Sequence, residues 1–184
     1  PDRPYIEDLD VLPFPAHHLW PLDRLRKYGK VIFPLMTSRG CVYWCEFCSA
    51  VRMFGRKFRM RSPKREIGKR QPDMVGMTST TLTYKSTLHI AEITKEVLPS
   101  CLTVLGGCHV TFWDVEALQE CPHLDVVVRK EGENTILELV ERLEAGEDFH
   151  DILGVTCRKG EEIVRNPDRP YIEDLDVLPF PAHH

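Results

Sequence analysis

Leu102-Thr-Val-Leu-Gly-Gly-Cys-His109 is a short β-prone run broken off by two glycines. Such a run between turn residues reads as a buried strand, and paired glycines let the backbone turn sharply or approach a ligand closely. Upstream, Met74-Val-Gly-Met-Thr78 predicts another short buried strand, followed by the hydroxyl-rich turn Ser79-Thr-Thr81. Between the two, Tyr84–Val97 predicts a helix with Leu88, Ala91, Ile90, Ile93 and Val97 on its apolar side, stopped by Pro99. Downstream, Trp113–Glu120 predicts a helix capped by Asp114 or Thr111. Leu124–Val128 is a third strand, ending in Arg129-Lys-Glu-Gly-Glu133. The helix Glu133–Ala145 carries Ile136, Leu139, Val140 and Leu143 on one face, with Gly146 as its stop. Alternating strands and helices imply right-handed crossovers and a parallel sheet, a partial Rossmann or flavodoxin-like α/β fold. Ligands of such sheets bind outside the carboxyl ends of the strands, here residues 78–81, 106–109 and 131–133. Gly154–Arg158 and Glu162–Arg165 flank Lys159-Gly-Glu161 as a β-hairpin.

A second stretch carries the chemistry. Cys41-Val-Tyr-Trp-Cys45-Glu-Phe47-Cys48 places three thiols within eight residues, after the β-prone segment Val31-Ile-Phe-Pro-Leu-Met36. A strand that delivers a cysteine loop at its end suits the way α/β folds build sites. Seven cysteines, an odd number, do not suggest a secreted disulfide framework, and three close thiols in a reducing compartment read first as metal ligands. Structural zinc wants four ligands, usually in two pairs, and the sequence has no second pair. Iron–sulfur clusters are held by closely spaced thiolates, and three ligands on a four-iron cluster leave one iron open for chemistry.

The chain of 184 residues is long enough for a core, with 42% hydrophobic and 28% charged residues, as in ordinary globular proteins. A net charge of −4 gives no global argument for nucleic acid. No apolar run of about eighteen residues predicts a membrane span, and no signal-peptide pattern opens the chain, so a cytoplasmic home is expected. Residues 1–30 read as a proline-rich interdomain linker lying on a surface, with a short helical turn at Asp23–Tyr28 ended by Gly29. Arg52–Arg70 holds nine basic residues and one acid, interleaved with Met53, Phe54, Phe58 and Met60. That run reads as a solvated strand or hairpin face before it reads as an anion-binding one. Ser62 and Pro63 suit the start of a helix that Gly68 and Pro72 cut short. Residues 167–184 repeat residues 1–18 letter for letter. Genuine repeat arrays have several diverged copies at periods of about 20 to 50 residues, so this repeat predicts an artificially closed or permuted fragment, with a naturally permuted duplication as the other explanation.

CxxxCxxC at Cys41, Cys45 and Cys48, with Phe47 before the last cysteine, resembles the radical S-adenosylmethionine (SAM) superfamily. The stretch Phe54–Pro63, FGRKFRMRSP, resembles the segment just after the cluster loop in many members. Residues 71–166, with GGCHVTF and DVVVRKEGENT, resemble the cobalamin-binding domain that precedes the cluster domain in one large subfamily, and the 18-mer resembles the linker between them. Joining His184 to Leu19 would restore that family's order. The resemblance implies domains at 1–30 (linker), 31–70 (first strand and cluster loop of a radical SAM partial TIM barrel) and 71–153 (partial cobalamin-binding α/β domain). The hairpin at 154–166 and the second linker copy at 167–184 complete the chain.

The resemblance also implies a 4Fe–4S cluster on Cys41, Cys45 and Cys48, with SAM on the open iron and its adenine beside Phe47. Cobalamin would lie against Thr78, Ser79, Thr80, Gly106, Gly107, His109, Glu131, Gly132 and Glu133. The implied reaction is radical cleavage of SAM followed by methylation of an unidentified, small-molecule substrate, with an electron donor such as ferredoxin or flavodoxin. Cys108 stands where the family usually has proline, and no Asp-x-His-x-x-Gly motif supplies a lower cobalt ligand. The first strand–helix–strand of the cobalamin domain and most of the barrel have no counterpart here. A methylthiotransferase acting on RNA or protein without cobalamin, or a non-catalytic cofactor-binding module, are the alternatives.

Overall fold

A computed structural model describes residues 3–13 and 37–178. The predicted strand at Val31–Met36 and the turn at Asp23–Tyr28 lie outside the described residues. The chain divides into two compact units, one running up to Ser62 and the other from Pro63 to Leu178.

In the first unit, β1 (Ser38–Arg39) and β2 (Arg59–Met60) pair antiparallel, Ser38 opposite Met60 and Arg39 opposite Arg59. The cysteine loop and α1 (Ala50–Phe54) lie between them. The basic run departs from the solvated face expected of it. Arg59 and Arg61 are each only 6% exposed. Alternate strand residues share a face, and this pair turns inward to donate to backbone carbonyls. Arg59 reaches Ile6 and Phe54, and Arg61 reaches Leu12 and Pro13 at 3.1 and 3.2 Å. Met60, between them, is exposed. The linker residues they hold are not wholly extended, because Leu9–Val11 forms a 3-10 turn whose N-cap Asp8 accepts from the Asp10 N–H.

The second unit begins with α2 (Pro63–Arg70). Gly68 does not interrupt it: a Cβ built there would make only an ordinary contact with Val97 at 3.6 Å, so the glycine is tolerated within the helix. The helix ends at Gln71, whose φ of 48° is left-handed, just before Pro72. Next come β3 (Met74–Thr78), α3 (Tyr84–Val97), β4 (Leu102–Gly106), α4 (Asp114–Glu120), β5 (Val126–Val128) and α5 (Glu133–Ala145). The hairpin of β6 (Val155–Lys159) and β7 (Glu162–Arg165) comes last. All five strands form one sheet in the order β3-β4-β5-β6-β7. β3, β4 and β5 are parallel, with Gly76 opposite Val104 and Leu105 opposite Val127. The hairpin extends that sheet, β6 running antiparallel to β5 with Val126 opposite Cys157. The structure is therefore the expected α/β fold with a parallel three-strand core and two antiparallel strands added at one side.

The period of two along each strand sorts its side chains onto two cores. Leu105 and Val127 pack with Tyr84, Leu88 and Ala91 of α3 and Ala117 and Leu118 of α4. Val104, Val126 and Val128 pack on the other face with Leu139 of α5 and Ile152. Burying each of the valine, leucine and isoleucine side chains among them contributes about 1.5–3 kcal/mol. Ile90, Ile93 and Val97 are only partly buried, because Thr87 and Thr94 turn inward instead and bond back to the Thr83 and Ile90 carbonyls. Gly146 caps α5 at φ 68°, as its position after the last apolar residue predicts. α4 lacks the expected side-chain cap; Asp114 is drawn into a buried network and Thr111 accepts from the Lys130 N–H. Among the described residues no helix is long and apolar enough to cross a membrane.

Candidate functional site

The carboxyl ends of the three parallel strands border a groove of about 370 Å³ lined by residues that include Gly76, Thr78, Gly106, Gly107, Lys130 and Gly132. Met77, Val104, Val128 and Ile136 supply its apolar wall. Two glycines shape it. A Cβ at Gly76 would meet nothing within 4 Å, so the strand leaves open space there. Gly107 has φ 107°, and a Cβ would lie 2.5 Å from the Ser79 carbonyl oxygen, so only glycine fits this turn against the end of β3.

Of the strand-end residues singled out by sequence, Thr78, Gly106, Gly107 and Gly132 line the groove. Ser79 lies at the end of β3 with a buried hydroxyl that has no hydrogen-bond partner. The Thr80 N–H donates to the Thr83 hydroxyl at 3.0 Å. His109 bonds the Thr81 hydroxyl at 3.2 Å and lies against the Tyr84 ring, with centroids 4.5 Å apart. Glu131 accepts from the Ile172 N–H at 2.9 Å, and Glu133 opens α5. Sequence reading missed Gly76 and Lys130. A glycine inside a strand is itself a signal of close backbone approach, whereas nothing local marks Lys130.

The loop carrying Lys130 and Gly132 is held by the Arg129 guanidinium, which is 1% exposed. It donates to Asp168 at 2.9 and 3.1 Å and to the Asn166 carbonyl at 2.6 Å, and it bonds the Thr156 hydroxyl. Thr156 donates to Asp114 at 2.5 Å, and Arg165 reaches the same carboxylate at 2.8 Å. The Lys130 ammonium pairs with Asp168 at 2.9 Å and lies over the Tyr171 ring. Lys130 and then Arg129 hold the Asp168 carboxyl down at about 2, from an ordinary value of 3.8. A carboxyl with a lowered folded-state pKa adds stability above its unfolded value and loses it as pH falls toward its folded one. We therefore expect the Asp168→Asn variant to show a flatter fall in urea-unfolding stability between about pH 4 and 2 than the parent. An unchanged slope would mean that Asp168 gains nothing from these cations.

In the first unit, Cys41 is half-buried, while Cys45 and Cys48 are exposed on one loop. The Cys48 N–H donates to the Cys45 carbonyl at 3.1 Å, closing a turn, and the Cys41 N–H donates to Gly55 at 3.2 Å. Phe47 is 94% exposed beside them. Among the described residues no three Cys, His, Asp or Glu side chains are gathered as a metal site. The donor set itself fits an iron–sulfur cluster: three free thiols on a single loop, two of them exposed, with an aromatic next to the last. The other thiols differ. Burial pushes Cys101 and Cys121 up and takes Cys157 to about 11, so these three stay protonated and act as core residues. Cys108 is exposed at the turn beyond β4.

The B12 binding domain family matches residues 35–140. An uncharacterized methyltransferase of Pyrococcus horikoshii is 38% identical over 117 residues, covering 64% of this chain and 26% of that protein. The anaerobic magnesium-protoporphyrin IX monomethyl ester cyclase of Cereibacter sphaeroides is 38% identical over 111 residues, covering 59% of this chain and 18% of that one. The chain thus spans about a quarter or less of the relatives it matches. Among solved structures, TsrM from Kitasatospora setae, a radical S-adenosylmethionine methyltransferase, superposes with a TM-score of 0.52 at 18% identity. The superposition covers 57% of this chain and 21% of that one, and it shows a shared fold. More than half of the sequence matches, and a parallel sheet carries a groove at its carboxyl ends: the chain belongs to the B12 binding domain family.

Proposed function

We propose that this chain holds cobalamin for a radical SAM enzyme that transfers a methyl group to a carbon of a small-molecule substrate. The groove at the ends of β3, β4 and β5 carries this reading. Its wall is apolar, its floor has space at Gly76, and its turn at Gly107 tolerates no side chain. A large planar ring system needs such a bare backbone surface. The orphaned Ser79 hydroxyl at the same strand end has hydrogen-bonding capacity left for a polar edge.

Thr78, Gly106, Gly107 and Gly132 would touch the corrin, and the Arg129 network fixes the loop that presents Gly132. Cys41, Cys45 and Cys48 would hold a 4Fe–4S cluster, and Phe47 would cover the adenine of SAM. When bound, the cluster with SAM supplies a carbon-centred radical and cobalamin supplies the methyl group. The protein's own task is to bind, orient and shield these groups. An external one-electron donor such as ferredoxin or flavodoxin would feed the cluster, and reducing cytoplasm suits its thiolate ligands. Support comes from the family match, the methyltransferase named among the relatives and the cysteine spacing.

Spectroscopy tests this directly. After incubation with hydroxocobalamin and desalting, the parent chain should retain corrin absorbance. The Gly76→Val variant should keep the parent's circular dichroism, since valine suits a strand, yet lose the corrin because its side chain fills the groove. A parent chain that retains no corrin would overturn the proposal and favour a cobalamin-free methylthiotransferase. Equal retention by Gly76→Val would move the site elsewhere.

A further inference from the structure

The groove at the strand ends is uncharged except at one place. Among the described residues that line it, only Lys130 carries a formal charge. Its chain neighbours Glu131 and Glu133 do not line the groove, and Glu131 accepts from the Ile172 N–H instead.

The backbone of Lys130 is unusual as well. Its φ of 59° lies in the left-handed region, where an L side chain is strained. Among the described non-glycine residues only Gln71 shares this feature, and it sits just past α2, where chains commonly turn left-handed. Lys130 follows a strand, so no helix end accounts for it. Two hydrogen bonds hold it in place. Its N–H donates to the Thr111 hydroxyl at 3.0 Å, and that hydroxyl donates to the Gly107 carbonyl at 3.1 Å. The strained residue is thereby tied to the glycine turn that follows β4 in the same groove. Strain of this kind persists where the surroundings enforce it, and it gathers at ligand sites. Glycine would adopt this backbone freely, so what lysine adds here is its side chain.

That side chain is aimed and has charge to spare. The ammonium donates to Asp168 at 2.9 Å and lies over the Tyr171 ring, 5.1 Å from its centroid. The side chain remains 31% exposed. Asp168 already has a counter-ion, because the buried Arg129 guanidinium donates to its other oxygen at 2.9 and 3.1 Å. Two cations meet one carboxylate, which leaves a positive charge beside the groove. An ammonium also has donors beyond the one that Asp168 takes.

We propose that Lys130 is the anion-binding residue of this groove and that it takes the phosphodiester of the cobalamin nucleotide tail. The inference rests on the cofactor reading above, and it adds which part of the cofactor lies at the end of β5. The rim of a corrin carries neutral amides. The phosphodiester is therefore the group that a single ammonium at an otherwise uncharged groove selects, and lysine serves a phosphate as a point charge.

The test compares two corrinoids on the whole chain, dicyanocobalamin and dicyanocobinamide. Both carry cyanide on each face of cobalt, and the second lacks the nucleotide with its phosphodiester. Equilibrium dialysis read by corrin absorbance gives both dissociation constants. The parent should bind dicyanocobalamin more tightly. Lys130→Gly suits the left-handed backbone, so it should keep the parent's circular dichroism and its affinity for dicyanocobinamide. It should cut the preference for dicyanocobalamin by about tenfold, the low end for a hydrogen bond between charged groups, because the side chain is partly exposed. Lys130→Arg should retain the preference. Raising the ionic strength should erode it in the parent and leave Lys130→Gly unmoved. The inference is overturned, with the cofactor reading left standing, if Lys130→Gly keeps the parent's preference or weakens both corrinoids alike. A Lys130→Arg variant that behaves like Lys130→Gly would also overturn it. A parent that binds neither corrinoid would remove the cofactor reading itself, and this inference with it.

Discussion

Replacing Cys41, Cys45 and Cys48 together by alanine is expected to abolish iron and sulfide uptake on anaerobic reconstitution. The parent chain should take up close to a full 4Fe–4S complement. The argument rests on ligand supply. Clusters of this kind are held by thiolates, and these three thiols share one loop. The remaining four cysteines do not replace them. Cys101, Cys121 and Cys157 are buried, and desolvation keeps their thiols protonated. Cys108 is exposed but lies beyond β4 in the other unit, so Cys108→Ala is the control that should leave iron content unchanged. Iron and sulfide analysis with Mössbauer spectroscopy measures the result. Full cluster content in the triple variant, or a single tetrahedral zinc in the parent, would remove the radical reading without touching the proposal for the strand-end groove.

The second large effect concerns stability. Arg129→Ala is expected to cost about 3–5 kcal/mol, the range seen when one partner of a buried ion pair is removed. The guanidinium is 1% exposed and serves Asp114, Thr156, Asn166 and Asp168 at once. Its loss leaves the Asp114 carboxylate buried with Arg165 as its remaining cation. The value should fall toward the lower end of the range for that reason. Urea unfolding reads it as a lower midpoint at an unchanged slope. Arg129→Met with Asp114→Asn should recover part of the loss, because the stranded charge is then gone. An unshifted midpoint in Arg129→Ala would show that the network adds no stability.

Much of the α/β fold is legible in the sequence, and the reasons are local. α3 and α5 have long apolar periods with unmistakable stops, Pro99 after one and Gly146 at the end of the other. The three parallel strands stand out as short apolar runs between turn residues. What the sequence hides is tertiary. Asp114 has the composition of a cap, but a buried arginine competes for it and wins. Gly68 reads as a helix breaker, yet the helix runs through it to Arg70. The β6–β7 hairpin is plain in sequence, yet nothing in its own residues says that it joins the edge of β5.

The candidate site was legible in outline. Strand ends predict where ligands bind, and that rule picks out residues 78–81, 106–109 and 131–133, of which Thr78, Gly106, Gly107 and Gly132 line the groove. Ile136 and Val128 belong to the same groove through packing that no local pattern reveals. Arg59 and Arg61 held a readable clue, since two arginines flanking Met60 share one strand face. Charge alone suggested water on that face, but the backbone carbonyls of the linker occupy it instead.

The two outer borders of the five-stranded sheet are chemically unlike. β7 carries Glu162 and Arg165, charges that discourage another chain from pairing with it. β3 reads Met-Val-Gly-Met-Thr, without a charge or a proline to deter a newcomer. Enlargement of the sheet is therefore polarised: a further strand is welcome only beside β3, where it would widen the platform around Gly76.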